Sequence, residues 1–207
     1  MALRNMPIVT KLSPQKNKIR VNVEIDGKYG FGIDLENLMK WGIKVGAEYS
    51  HDQINQMIEK GEYQKVLNKL LSFASLRPRS SFEINQWFNR KKVVISFRQE
   101  LVNKLQRLDF LDDAKFAAWW VEQRMQFKPR GIRALKLELL QKGIDRDVID
   151  NVLSRYALDD TKVLGELYER SKTKWERLSG EKRKQKVFSY FLRKGFSLEV
   201  IKKIINE

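Results

Sequence analysis

The sequence predicts a mainly α-helical protein, in which a small N-terminal α+β hairpin module precedes three tandem three-helix repeats. Near the N-terminus apolar and polar residues alternate, which is typical of strands. From Glu62 onward every periodic segment has helical spacing, and its motifs recur at offsets of 47 to 52 residues. Because each repeat is too small to bury its apolar face alone, we expect the repeats to stack into an elongated, curved array.

The N-terminal alternation has the form of a β-hairpin. Apolar residues alternate with polar ones over 21–25 and again over 29–33, and Asp26 and Gly27 offer a tight turn between the two runs. Residues 8–12 are predicted to add a third strand, because a lone two-stranded hairpin is barely stable in water.

Two short helices are predicted to complete the N-terminal module of residues 1–61. The first covers 35–39. The second begins at a capping box formed by Ser50 and Gln53, and Gly61 is expected to end it.

The three helical repeats are predicted at residues 62–108, 109–157 and 158–207. In the middle repeat a break around Pro129 separates the first and second helices. Gly143 suits the left-handed end of the second helix, and a third amphipathic run follows it.

The repetition rests on two motifs. Leu-Asp-Asp-x-Lys at 111–115 recurs at 158–162, an offset of 47, and Lys-Gly at 142–143 recurs at 194–195, an offset of 52. The difference places an insertion near 173–182, in the link between the first and second helices of the last repeat, where extra residues are tolerated best.

Composition excludes several classes of protein. The chain of 207 residues has no cysteine and one histidine, which rules out disulfides, thiolate zinc sites and cysteine nucleophiles, and leaves little room for histidine-based catalysis. The sequence contains no stretch apolar enough to span a bilayer and no signal peptide, so we expect a cytoplasmic protein with no membrane partner.

No residue pattern indicates catalysis, a metal or a cofactor. His51 lies beside the helix cap at Ser50, where a structural role is expected. The acidic pairs at 112–113 and 159–160 stand at helix starts, which capping and the helix dipole explain. The glycines of the hairpin lack the strand-to-helix context of a phosphate-binding loop.

The formal net charge of +15 favours an anionic partner. The charge is uneven, because the first repeat carries +7 and the last +5, whereas the middle repeat carries +1. A solvated face that only keeps the protein soluble is the alternative.

Cations recur near the turns between the first and second helices of the repeats. If the repeats stack with a constant rotation, these turns line one edge and form a basic track for a nucleic acid or an acidic protein. The residues are Arg77, Arg79, Arg124, Lys128, Arg130, Arg133, Lys182, Arg183, Lys184 and Lys186.

Trp119 and Trp120 are candidate aromatic contacts for a protein partner. They are adjacent on a helix and so point about 100° apart, which means that one of them can face outward. The alternative is that the wide apolar face of the helix takes both.

The middle repeat resembles the signature repeat of the bacterial RecX regulatory proteins in the segments FAAWWVEQR, KPRGIRALKLELLQKGI and DRDVIDNVL. The N-terminal segments IVTKLSPQK, VNVEIDGKYGFGIDLENL and GIKVGAEYS are similar to the same family. Two departures from the family pattern stand out: Arg90–Lys92 replace Lys-Gly in the first repeat, and the last repeat has its insertion.

This resemblance implies tandem three-helix repeats without catalytic activity that bind the RecA recombinase filament and mainly inhibit RecA in homologous recombination, DNA repair and the SOS response. It also implies that single- or double-stranded DNA can be contacted. We expect a monomer without a cofactor. The alternative is a basic DNA-binding protein that acts by competing for single-stranded DNA. The basic positions of the family motif assign a general binding role to Arg124, Lys128, Arg130, Arg133, Lys136 and Lys142.

Overall fold

The computed structural model of the chain describes residues 6–16 and 19–205, and within them three strands precede a series of helices. An N-terminal compact unit ends at Phe73, and a C-terminal one begins at Ala74. The strands and first helices are β1 Val9–Pro14, β2 Arg20–Ile25, β3 Lys28–Asp34, α1 Leu35–Lys40 and α2 His51–Ala74. The later helices are α3 Ser81–Arg90, α4 Ile95–Arg107, α5 Asp113–Phe127, α6 Ile132–Gln141, α7 Arg146–Arg155, α8 Asp160–Ser171, α9 Gly180–Arg193 and α10 Leu198–Ile205.

The N-terminal unit contains the predicted hairpin and its third strand. The sheet is antiparallel in the order β1-β2-β3, and the turn between β2 and β3 places Asp26 at φ 49° and Gly27 at φ 77°. Val23 and Phe31 are paired across the strands and buried in the core of this unit. The alternation of apolar residues therefore predicted the buried face correctly.

Helix α2 begins as predicted but does not end as predicted. The Ser50 backbone N–H donates to the Gln53 side chain over 2.8 Å, and the Gln53 N–H donates to the Ser50 hydroxyl over 3.2 Å, which completes the capping box. The predicted helix end at Gly61 is wrong, because α2 continues to Ala74. A Cβ atom at Gly61 would lie 3.0 Å from the Gly32 carbonyl oxygen, so this glycine permits close packing of helix on strand.

The predicted middle and last repeats each fold around their own core. In the middle repeat, α5, α6 and α7 bury Phe116, Leu135 and Ile149. In the last repeat, α8, α9 and α10 bury Phe191 and Ile201. The mainly helical fold class with a small N-terminal sheet is therefore confirmed.

The insertion in the last repeat adds an aromatic side chain to that core. A short 3-10 helix, Lys172–Lys174, follows α8 and leads to Trp175, which is buried. The Trp175 ring stacks on Tyr168 with 6.2 Å between centroids and meets Phe191 at 6.0 Å. The extra residues therefore lengthen the link and also fill the interior.

Helices α3, α6 and α9 end in the same backbone conformation. Gly143 and Gly195 follow α6 and α9 with φ of 74° and 86°, as the Lys-Gly motif predicts. Lys92 occupies the equivalent place after α3 with φ 52°. Throughout residues 6–16 and 19–205, no helix is both long and apolar enough to cross a membrane.

Candidate functional site

The first aspartate of each acidic pair caps the helix that follows it. Asp112 Oδ1 accepts from the backbone N–H groups of Ala114 at 2.8 Å and Lys115 at 3.0 Å. Asp159 does the same for Thr161 and Lys162. These hydrogen bonds hold the pKa of Asp159 below its ordinary value.

The second aspartate of each pair binds the preceding repeat instead. Asp113 Oδ1 accepts from the Ser81 backbone N–H over 2.8 Å, and Asp160 Oδ1 accepts from the Ile132 N–H over 3.0 Å. Ser81 and Ile132 are the first residues of α3 and α6, the second helices of their repeats. Capping therefore explains the first aspartate of each pair, whereas the second aspartate joins neighbouring repeats.

The Lys-Gly motif forms the other side of the same contact. The Ser80 hydroxyl donates to the Lys142 carbonyl oxygen over 2.8 Å, and the Gly131 N–H donates to the Lys194 carbonyl oxygen over 2.9 Å. We call the contact between a second aspartate, a Lys-Gly end and the start of the preceding second helix the repeat junction. It occurs between the first and middle repeats and again between the middle and last repeats.

Glycine in the Lys-Gly motif is required by proximity as well as by its backbone angle. A Cβ atom at Gly143 would lie 2.6 Å from Phe82 Cβ, and one at Gly195 would lie 2.3 Å from Ala134 Cβ. Phe82 and Ala134 both belong to the preceding repeat. The motif therefore ends a helix and also brings two backbones together.

Three of the predicted binding cations surround one carboxylate at the first repeat junction. Arg77 donates to both oxygens of Glu83 at 2.8 and 3.0 Å, Lys142 donates at 2.9 Å, and Arg79 lies 4.0 Å away. Burial raises the pKa of Glu83, but the hydrogen bonds from Arg77 and Lys142 outweigh it and hold the pKa below its ordinary value. Of these cations, Lys142 links the middle repeat to Glu83 of the first repeat.

A second carboxylate, Glu138, collects two more of the predicted cations. Arg124 Nε lies 2.6 Å and Arg130 Nε 3.6 Å from its oxygens, and the Trp120 indole N–H donates to it over 2.9 Å. Sequence reasoning missed both Glu83 and Glu138 as partners, although Glu83 stands three residues after Ser80 in capping-box spacing.

The two candidate tryptophans are half-buried and pack against the core of the middle repeat. Arg124 lies over the Trp120 ring at 4.4 Å from its centroid, and Arg77 of the first repeat lies over Trp119 at 5.4 Å. This arrangement agrees with the alternative that the apolar face of α5 takes both rings. A role in partner contact stays a prediction.

The remaining predicted cations differ in their surroundings. Lys136 is exposed and lies 2.6 Å from Asp150. Within the described part of the chain, the others form no ion pair, and all except the half-buried Arg183 are exposed. They are Lys128, Arg133, Lys182, Arg183, Lys184 and Lys186. The structure therefore brings five predicted cations into two ion clusters and leaves six unpaired.

Comparison with known proteins decides the family. Family models match residues 7–49 as the regulatory protein RecX N-terminal domain, 112–153 as the second RecX three-helix domain and 159–205 as the third. The regulatory protein RecX of Bacillus licheniformis is 33% identical over 204 residues, which cover 98% of this chain and 78% of that protein. The chain belongs to the RecX family.

Other RecX proteins extend the agreement. The regulatory protein RecX of Bacillus subtilis is also 33% identical over 204 residues, covering 98% of this chain and 77% of the relative. A crystal structure of regulatory protein RecX superposes with a TM-score of 0.71 at 24% identity, over 98% of this chain and 100% of that one. The structure of RecX from Lactobacillus salivarius gives 0.60 at 27% identity, over 70% and 94%. The predicted family is confirmed, and a regulatory role follows from it.

Proposed function

We propose that this protein binds the RecA filament and mainly inhibits RecA activity in homologous recombination, DNA repair and the SOS response. Membership of the RecX family carries the proposal, because members of that family are regulatory proteins. The proposed role requires binding and no turnover. The chain has one histidine and no cysteine, in keeping with a regulator that is not an enzyme.

The distribution of charge supports a polyanionic target. Lys182, Lys184 and Lys186 are exposed along α9 and form no ion pair within the described residues. Unpaired cations on one helix raise the local concentration of a polyanion, whereas the cations around Glu83 and Glu138 are already neutralised in part. The filament, which carries DNA, is a target of this kind.

The test is the effect of the purified protein on RecA. A sub-stoichiometric amount added to RecA on single-stranded DNA is expected to reduce DNA-dependent ATP hydrolysis and strand exchange. Circular dichroism of the same sample confirms that the protein is folded. An absence of effect at every ratio of the two proteins would contradict the proposal.

Direct competition for single-stranded DNA is the second candidate, and the unpaired lysines of α9 are the observation that favours it. In that case the protein binds bare DNA tightly, and the logarithm of the binding constant falls with log salt by about 0.7 per phosphate contact. A complex that resists salt and requires RecA supports filament binding instead. Titration of labelled single-stranded DNA with and without RecA separates the two.

A further inference from the structure

We propose that the turn between α3 and α4, residues Arg90–Ile95, is a docking surface for an acidic protein segment that carries an apolar side chain. We call this surface the α3–α4 corner. The proposal rests on the proposed function in one respect, because it takes the RecA filament as the protein that presents the segment.

The corner combines exposed cations with exposed aliphatic side chains. Arg90, Lys91 and Lys92 are consecutive, exposed and without an ion pair inside the described part of the chain. Val94 and Ile95 follow, with 59% and 82% of their surface exposed. An acidic partner would satisfy the three charges, and an apolar side chain would cover the aliphatic pair.

A buried side chain and hydrogen bonds fix the conformation of the α3–α4 corner. Val93 is buried, and its N–H donates to the Phe88 carbonyl oxygen over 2.9 Å. Arg98 on α4 donates to the Val93 carbonyl at 3.1 Å and to the Asn89 side chain at 2.8 Å. A partner therefore meets a preformed surface, and little ordering of this turn is required on binding.

Two positions of the corner hold residue types that are unfavourable there and that the other repeats do not have. Lys92 adopts φ 52° where they have glycine. Val94 stands at the N-cap of α4 and offers no side-chain hydrogen bond, whereas Asp145 accepts from Asp147 N–H at the same place in the middle repeat. Both departures weaken the turn and put a cation and an apolar group on the surface, which is the pattern expected at a functional site.

The position of the corner explains why these departures are tolerated. In the middle and last repeats the equivalent glycines, Gly143 and Gly195, lie against the preceding repeat and leave no room for a side chain. Lys92 is exposed, so its side chain meets no such obstacle. The position that contacts the preceding repeat at Gly143 and Gly195 is therefore exposed at Lys92.

The chemistry of the corner favours a protein over a single-stranded nucleic acid. Single strands are held by aromatic side chains that stack on bases, together with cations that follow the backbone. Val94 and Ile95 supply aliphatic surface without a ring. A peptide with one carboxylate-rich stretch and one apolar side chain matches both parts of the corner.

The decisive variant is Lys92→Gly combined with Val94→Asp, because it restores the glycine and the cap of the other repeats. Its melting temperature is expected to equal or exceed that of the wild type. Its affinity for RecA filaments on single-stranded DNA is expected to fall at least about tenfold. Ile95→Ser, which leaves the charge unchanged, should weaken binding in the same assay.

Lys69→Glu is the matched control, because it also lowers the net charge by two units, and Lys69 is exposed on α2. It should bind filaments like the wild type. If the wild type binds and the double variant binds equally well, the corner proposal is overturned and the proposed function stands. If the wild type fails to bind filaments, the corner proposal and the proposed function are both contradicted. A parallel loss of affinity for bare single-stranded DNA would make the corner a nucleic-acid surface and overturn the proposal.

Discussion

At the scale of single residues, Glu83 is the carboxylate on which the ion pairs of the first repeat junction converge. Its side chain is nearly buried, and Arg77 and Lys142 donate to it from two different repeats. An ion pair of this kind contributes through hydrogen bonds, and removal of one partner leaves the others uncompensated.

Replacement of this carboxylate by an amide, Glu83→Gln, is expected to lower the free energy of unfolding by about 2 kcal/mol. Urea denaturation measures the loss. Glu62→Gln is the control, because Glu62 pairs with Lys65 at 3.1 Å on an exposed helix surface, and its loss should change stability by less than about 0.5 kcal/mol. Equal effects of the two variants would show that the cluster around Glu83 does not stabilise the fold.

The pKa of Glu83 gives this contribution a pH dependence. The folded-state pKa lies below the ordinary value of 4.5. The stabilisation is therefore complete well above pH 4.5 and is lost as the pH falls through the lower, folded-state pKa. Urea denaturation of wild type and Glu83→Gln should show a stability difference that narrows in acid, and a difference that stays constant would exclude Glu83 as its source.

At the scale of elements, the second residue after the second helix of each repeat has one backbone conformation and two environments. At Gly143 it faces Phe82 of the preceding repeat, whereas at Lys92 it faces solvent. The left-handed backbone angle therefore favours glycine at both places, and at Gly143 the close approach of Phe82 requires glycine as well.

Gly143→Ala is expected to destabilise the protein by about 2 kcal/mol, because a Cβ atom would lie 2.6 Å from Phe82 and the backbone is left-handed. Lys92→Gly should stabilise the protein by about 0.5 kcal/mol, since glycine adopts this conformation without strain. Thermal denaturation of the two variants and the wild type measures these changes in stability. A Gly143→Ala variant as stable as the wild type would mean that the repeat junction tolerates a wider separation.

At the scale of the whole molecule, charge is divided between ion clusters and unpaired cations. The cluster around Glu83 includes Lys142 from the next repeat, whereas the cluster around Glu138 lies within the middle repeat. The unpaired cations are available to a partner. The separation of clusters and unpaired cations lets binding be altered without disturbing the fold, and α9 is the clearest example.

Substitution of Lys182, Lys184 and Lys186 by glutamine is expected to weaken binding to bare single-stranded DNA and to reduce its salt slope by about 2. Inhibition of RecA ATP hydrolysis should persist if the filament is bound chiefly through protein contacts. A triple variant at three exposed lysines of the N-terminal unit, Lys40, Lys44 and Lys69, is the control for net charge. A control variant with the same reduced salt slope would show that position on α9 is unimportant.

Sequence patterns predicted those features of the molecule that depend on near neighbours. The alternation of the hairpin, the capping box at Ser50 and the glycine at 143 were all predicted from residues a few positions apart. The predicted helix end at Gly61 is wrong, because the sequence does not distinguish a glycine that ends a helix from one that lets a strand pack closely against it.

Contacts between distant residues could not be predicted in this way. The Lys142–Glu83 hydrogen bond joins residues 59 positions apart, and nothing in the local pattern of either residue indicates the other. The second aspartate of each acidic pair looks like part of a helix cap in sequence, because its partner in the preceding repeat is 28 to 32 positions away. The sequence alone does not indicate that Arg77 pairs with Glu83 or that Arg124 pairs with Glu138.

The repeat junction also has a consequence for how such a chain can change in length. The middle repeat presents both halves of the contact: Asp113 and Gly143 toward the repeat before it, and Gly131 and Ile132 toward the repeat after it. A tandem duplication of residues 109–157 would thus supply each copy with a matching neighbour on both sides. The chain can therefore be lengthened by whole repeats, because each added copy uses the same contact between neighbours.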